Sequence, residues 1–119
     1  MDKTQNRKPY DLGERTKAFA ERVRMYIRNL PRSIADIEDA KQLVRASGSV
    51  GANYIEAEES LSKKDFVMRI KICRKEAKES RYWLELTDPK AENESEKKSL
   101  IQEATELTKI FGAIVIKSQ

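Results

Sequence analysis

The chain has 119 residues, a length that suits one domain around one core. Charged residues make up 37% and hydrophobic residues 39%, with only four glycines and three prolines, which suits a helical protein and leaves little room for an all-β fold. One cysteine and no histidine exclude an internal disulfide framework, Ser-His and Cys-His catalysis and histidine-ligated metal sites, while a net charge of +4 admits a polyanionic partner.

Residues 1–9 are polar and mixed in charge. They read as a flexible tail without the apolar stretch of a signal peptide. No segment is long and apolar enough to span a bilayer, so the cytoplasm is the expected compartment and no membrane partner is expected. Residues 10–119 read as one all-α domain of four helices, over about 11–30, 34–59, 63–87 and 94–117. In the first, Asp11 followed by Glu14 gives a capping-box pattern. Leu12, Thr16, Phe19, Val23, Tyr26 and Leu30 then recur at steps of four and three. Pro31 ends the helix, because the residue before a proline avoids the helical region.

Ser33 can cap the second helix. Ala40, Val44, Ser47, Gly51 and Tyr54 mark one face, and Leu43, Ala46, Val50, Asn53 and Ala57 the adjacent one. Its middle, Arg45 to Glu56, is almost all small residues. Two helical glycines, Gly48 and Gly51, cost roughly 1 kcal/mol each against alanine. Close approach of another helix would offset that cost. Asn53 and Glu56 follow, and with Ser49, Glu76 and Glu79 they are expected to form a structural polar cluster. The three glutamates could alternatively form an all-carboxylate metal site; no cofactor is expected.

Ser62 looks like the cap of the third helix, whose stripe runs Phe66, Ile70, Cys73, Ala77, Ser80 and Leu84. Beside it Lys63, Lys64, Lys71, Arg74, Lys75, Lys78 and Arg81 share an arc about 120° wide. The opposite side carries Met68, Ile72, Trp83 and Leu86 among Glu76 and Glu79. A bundle helix needs only one buried stripe, so the second suggests a subunit interface, or a wide core face with Trp83 at its margin. Asp88-Pro89 breaks the chain, and Asn93 to Glu96 repeats the capping-box pattern. The fourth helix presents Leu100, Ala104, Leu107, Phe111 and Ile114. Its end, Ile110 to Ile116, is apolar nearly all round, which fits either an oligomer contact through Ile110, Ile114 and Ile116 or a snug helix with exposed isoleucines.

Short connections between long helices favour an antiparallel up-down-up-down four-helix bundle. Heptad spacing alone would also allow extended coiled coils, but the prolines and caps between helices argue against them. Residues 62–87 hold eight basic and four acidic side chains, whereas residues 33–61 hold two and six. With Arg24 and Arg28 of the first helix, the cations Lys64, Lys71, Arg74, Lys75, Lys78 and Arg81 are candidates for RNA or DNA binding. A solvated face partly paired with the acidic second helix explains the same pattern.

The combination Ser49-x-x-x-Asn53-x-x-Glu56-Ala57, Lys64-Asp65-Phe66 and Lys75-Glu76-Ala77-Lys78-Glu79 leading to Tyr82-Trp83-Leu84 resembles the four-helix bundle proteins encoded in intervening sequences of bacterial 23S rRNA genes. Val50-Gly51 stands where that family often has Ile-Pro, and Glu58 where it often has glycine. The resemblance implies a bacterial, barrel-like homopentamer with no attached chemistry. It implies that Ser49, Asn53, Glu56, Glu76, Glu79 and Trp83 are structural or interface residues. The accessory variability proteins of diversity-generating retroelements look like distant relatives, which implies nucleic acid and a reverse transcriptase as partners. The expected function is therefore a non-enzymatic homo-oligomer binding RNA or DNA through the basic faces of the first and third helices. The alternative is a protein-interaction scaffold without nucleic acid.

Overall fold

A computed structural model describes residues 11–119; the expected tail at 1–9, with Lys3, Arg7 and Lys8, lies outside the described residues. Helices α1 (Leu12–Arg28), α2 (Ile34–Glu58), α3 (Lys63–Leu86) and α4 (Glu94–Ser118) follow one another, with a 3-10 turn at Ala91–Asn93 leading into α4. The connections are too short for anything but antiparallel neighbours, so the chain runs up-down-up-down. No strand occurs among the described residues. Consecutive helices pack on one another, and α1 closes the ring against α4 more sparsely. The body measures 44 × 38 × 19 Å.

Local chemistry sets the ends. The Asp11 side chain accepts from the Glu14 backbone N–H, without the return bond of a full capping box. Ser33 and Asp36 form the complete reciprocal box at the start of α2. The Ser62 hydroxyl accepts from the Asp65 N–H at 3.0 Å. Asn93 departs from expectation: it ends the 3-10 turn with φ −107° and ψ 8°, and its side chain makes no capping bond. Helix α1 stops at Arg28, two residues short of the expected end. The N–H groups of Asn29 and Leu30 bond back three residues, to Tyr26 and Ile27, tightening the last turn ahead of Pro31.

The core is the periodic stripe of each helix. Phe19, Val23, Leu43, Val50, Ile70, Leu84, Leu100, Leu107 and Phe111 are all but fully buried. Each contributes about 1.5–3 kcal/mol relative to exposure. Tyr54 of α2 meets Phe111 of α4 across the core, ring centroids 6.2 Å apart. At one end Tyr26 of α1 shares a buried 2.7 Å hydrogen bond with Thr87, whose carbonyl accepts from Lys97 of α4. That network holds the α3–α4 connection against α1.

The two glycines of α2 have different reasons. A Cβ on Gly51 would lie 3.0 Å from the Thr16 hydroxyl and 3.3 Å from its Cβ, so α1 and α2 touch there at backbone range. Thr16 is buried and its hydroxyl donates to the Leu12 carbonyl, which leaves it little freedom to move. A Cβ on Gly48 would meet only the flexible end of Arg24, at 3.5 Å.

The end of α4 is buried by its own bundle. Phe111 and Val115 are core residues, and Ile110 and Ile114 pack against the core from its edge. Ile110 and Ile114 are half-buried within the single chain, so part of each remains open at the surface. Ile116 does stand out, 74% exposed.

Candidate nucleic-acid interface

Arginines of α1 and cations of α3 have separate surroundings. Arg15 grips Glu103 through both Nε (2.7 Å) and Nη2 (2.9 Å), and Nη2 also reaches Glu106 at 2.7 Å. That bonding raises the Arg15 pKa, led by the hydrogen bond to Glu103. Glu106 is correspondingly lowered, first by the hydrogen bond from Gln102 and then by that from Arg15. Arg22 pairs with Glu96 and donates to Ser99 at 2.7 Å. These contacts tie α1 to α4.

Lys64, Lys71, Arg74, Lys75 and Lys78 behave otherwise. All are exposed, and none has a carboxylate within ion-pair distance among the described residues. Lys71, Arg74, Lys75 and Lys78 line one groove on the α3–α4 seam, of about 750 Å³, floored by Thr108 and Gly112. Gly112 lets the α4 backbone come close beneath Arg74, whose Cδ lies 3.7 Å from where a Cβ would be. The neighbouring groove shares Lys78 and Thr108 and adds Arg81, Tyr82, Glu85, Thr105 and Lys109. At the other end a third groove shares Lys71 and adds Lys63, Lys64 and Met68. The three make one continuous seam. From Lys64 to Arg81 it spans roughly 26 Å, at 1.5 Å per residue.

Arg81 departs from its neighbours: it pairs with Glu85 at 3.1 Å and donates to Thr105 at 3.1 Å, so it is anchored across the seam. Lys109 was missed by sequence reasoning; it lies on α4, and no signal within one helix shows that it joins the arc on α3. Arg24 and Arg28 do not join the seam. Arg24 donates to its own helix at Ala20 and lies against Gly48 of α2. Arg28 lines a separate cleft between α1 and α2, of about 710 Å³. The expectation of one basic surface from the first and third helices is corrected on that ground: α1 sits across the bundle from the α3–α4 seam.

The expected polar cluster shrinks. Asn53 donates to the Ser49 carbonyl and hydroxyl, both at 2.9 Å, and accepts from Arg69 of α3 at 3.1 Å. Arg69 was not foreseen; it lies on the edge of α3 that faces Asn53. Glu56 and Glu79 are exposed and Glu76 is half-buried, and no side-chain hydrogen bond joins any of them to Asn53. Glu56 and Glu79 fall on the outward arcs of α2 and α3, which keeps them out of the cluster. Burial, and then the nearby Glu79 charge, raise the Glu76 pKa. No group of three or more acidic or thiol side chains able to hold a metal occurs among the described residues. Cys73 lies in the core, where desolvation pushes its thiol up to about 12. Of the expected interface residues, Met68 is 47% exposed, Ile72 one turn on is half-buried, and Trp83, also half-buried, lies about four turns from Met68 along α3.

No helix among the described residues is long and apolar enough to cross a membrane. A family model for the 23S rRNA-intervening sequence protein matches residues 9–113. A crystal structure from Bacteroides thetaiotaomicron, of a protein with unknown function from the S23 ribosomal protein family, is similar to the chain. It superposes with a TM-score of 0.72 at 29% identity, covering 87% of this chain and 97% of that one. No curated protein matches.

Proposed function

The chain belongs to the 23S rRNA-intervening sequence protein family, and from that premise we propose that it is a non-enzymatic homo-oligomer, a pentamer by family resemblance, that binds the phosphate backbone of RNA or DNA along the α3–α4 seam. One observation carries this reading. Four cations, Lys71, Arg74, Lys75 and Lys78, line one groove with no carboxylate paired to them among the described residues. Internal ion pairs would have tied up such charges had they served the fold, as they do on α1. Without a carboxylate partner they are free to neutralise phosphates, which releases the cations condensed on the nucleic acid. A cyclic assembly would repeat the seam around its axis and strengthen the attraction. Met68 and Ile72, one turn apart, and Trp83, about 16 Å further along α3, leave apolar surface partly open, which supports self-association.

Replacing Lys71, Arg74, Lys75 and Lys78 with glutamine should lower affinity for an RNA or DNA strand by on the order of 10- to 100-fold while the helical circular dichroism stays unchanged. Equal affinity in the variant would refute the reading. Light scattering should give a mass several times 13.7 kDa; a monomer at micromolar concentration removes the assembly half. The scaffold reading has its own observation. The α1–α2 cleft has an apolar floor, Ile27, Leu30, Ile37 and Val44, under a rim containing Arg28, Arg32 and Arg45. It comes to the front if the oligomer is intact and the seam substitutions change nothing.

A further inference from the structure

The middle of the α3–α4 seam and its Arg81 end differ in chemistry, and the difference bears on the class of nucleic acid. Around Lys71 to Lys78 the lining holds four cations and one carboxylate, Glu79. At the Arg81 end an aromatic ring enters: Tyr82, 54% exposed, lines the same groove as Lys78, Arg81 and Lys109. Its ring is held edge-on to Trp83, with centroids 5.0 Å apart and planes at 75°. Glu85 is held by Arg81, so the groove around Tyr82 stays cationic through Lys78 and Lys109. Tyr82 therefore offers an exposed aromatic face at the end of a cationic groove, which suits a base stacked beside its own phosphates.

Building on the backbone-binding reading above, we propose that the seam binds single-stranded nucleic acid, with Tyr82 as the platform on which one base stacks while the preceding phosphates run along Lys78, Lys75, Arg74 and Lys71. A duplex keeps its bases stacked on one another, so their faces cannot reach Tyr82. A single strand can turn one base out, and an aromatic platform at the end of a cationic groove is the usual means of holding it. Arg81, anchored by Glu85 and Thr105, fixes the turn of α3 that carries the ring.

The test compares an eight-nucleotide cytidine strand, an abasic strand of the same length and a duplex of the same length, each titrated at low salt. Fluorescence of Trp83, the only tryptophan, gives a second readout because Tyr82 touches it. The cytidine strand should bind about five- to tenfold more tightly than the abasic one. Tyr82→Leu should erase that difference, Tyr82→Phe should keep it, and neither should change duplex affinity. Cytidine and abasic strands that bind alike, both weakening with salt, would overturn the stacking platform and leave the phosphate reading standing. Duplex affinity that falls with Tyr82→Leu as much as single-strand affinity would also overturn it. No binding of any strand at low salt would overturn the phosphate reading itself.

Discussion

Helices α1 and α3 are both rich in arginine and lysine, yet their charges have opposite fates. On α1, Arg15 and Arg22 reach three glutamates of α4 and act as ties within the bundle. On α3, Lys71, Arg74, Lys75 and Lys78 reach no carboxylate among the described residues and line an open seam. Composition counts both sets alike. Only placement separates a charge that holds the fold from one left available to a partner. Glycine repeats the lesson: Gly51 seats α1 against α2 at backbone range, while Gly112 floors the open seam.

The largest stability effect should fall on the closed side. Gly51→Leu forces a side chain into Thr16 and should cost about 1–3 kcal/mol, read from denaturant midpoints. Gly51→Ala combined with Thr16→Ala should recover part of what each loses alone. A Gly51→Leu variant that melts above the parent would remove the close contact from the account. Next, Arg15→Met should cost roughly 1–2 kcal/mol, because it leaves Glu103 half-buried without its fork of donors. The same variant should bind nucleic acid as the parent does. If Arg15→Met weakened binding as much as a substitution at Lys75, the division between the two helices would fail.

Gly112→Ala is the counterpart on the open seam. Its Cβ would meet Arg74 at ordinary contact distance, so the helix gains propensity and the protein up to about 1 kcal/mol. The smallest effect belongs to Glu76. Burial raises its folded-state pKa, so the native chain holds that proton more tightly than the unfolded chain does. Stability contributed by Glu76 therefore falls as pH rises from the ordinary carboxylate range through the raised value. Glu76→Gln should raise Tm slightly at neutral pH, and the gain should vanish in acid where the native carboxyl is already protonated. A gain that persists unchanged in acid would contradict the burial effect.

Much of the fold was legible because helical period and caps are local signals. Leu12 to Leu30 and Ile70 to Leu84 showed their stripes at steps of three and four. Gly51 announced a close approach, although nothing in the sequence pointed to Thr16 as the residue it meets. Pairings across long separations were not legible: Arg15 and Glu103 lie 88 residues apart, and either could have been solvated. Charge alone groups Arg24 and Arg28 with α3, and charge carries no information about which side of the bundle α1 occupies. A spacing of three groups Glu56 with Asn53, yet that small rotation around α2 turns Glu56 out to solvent. The seam itself was half legible. The arc on α3 could be drawn on a wheel, but Lys109 and Thr108 come from α4.

The salt dependence of binding tests the central claim most directly. The logarithm of the binding constant for a single strand should be plotted against the logarithm of salt concentration, for the parent and for the chain with Lys71, Arg74, Lys75 and Lys78 changed to glutamine. If these four side chains neutralise phosphates, the parent slope should be steeper by about 3, from roughly 0.7 per contact. Two parallel lines would mean that the seam touches no phosphate, and its unpaired charges would be solvated surface.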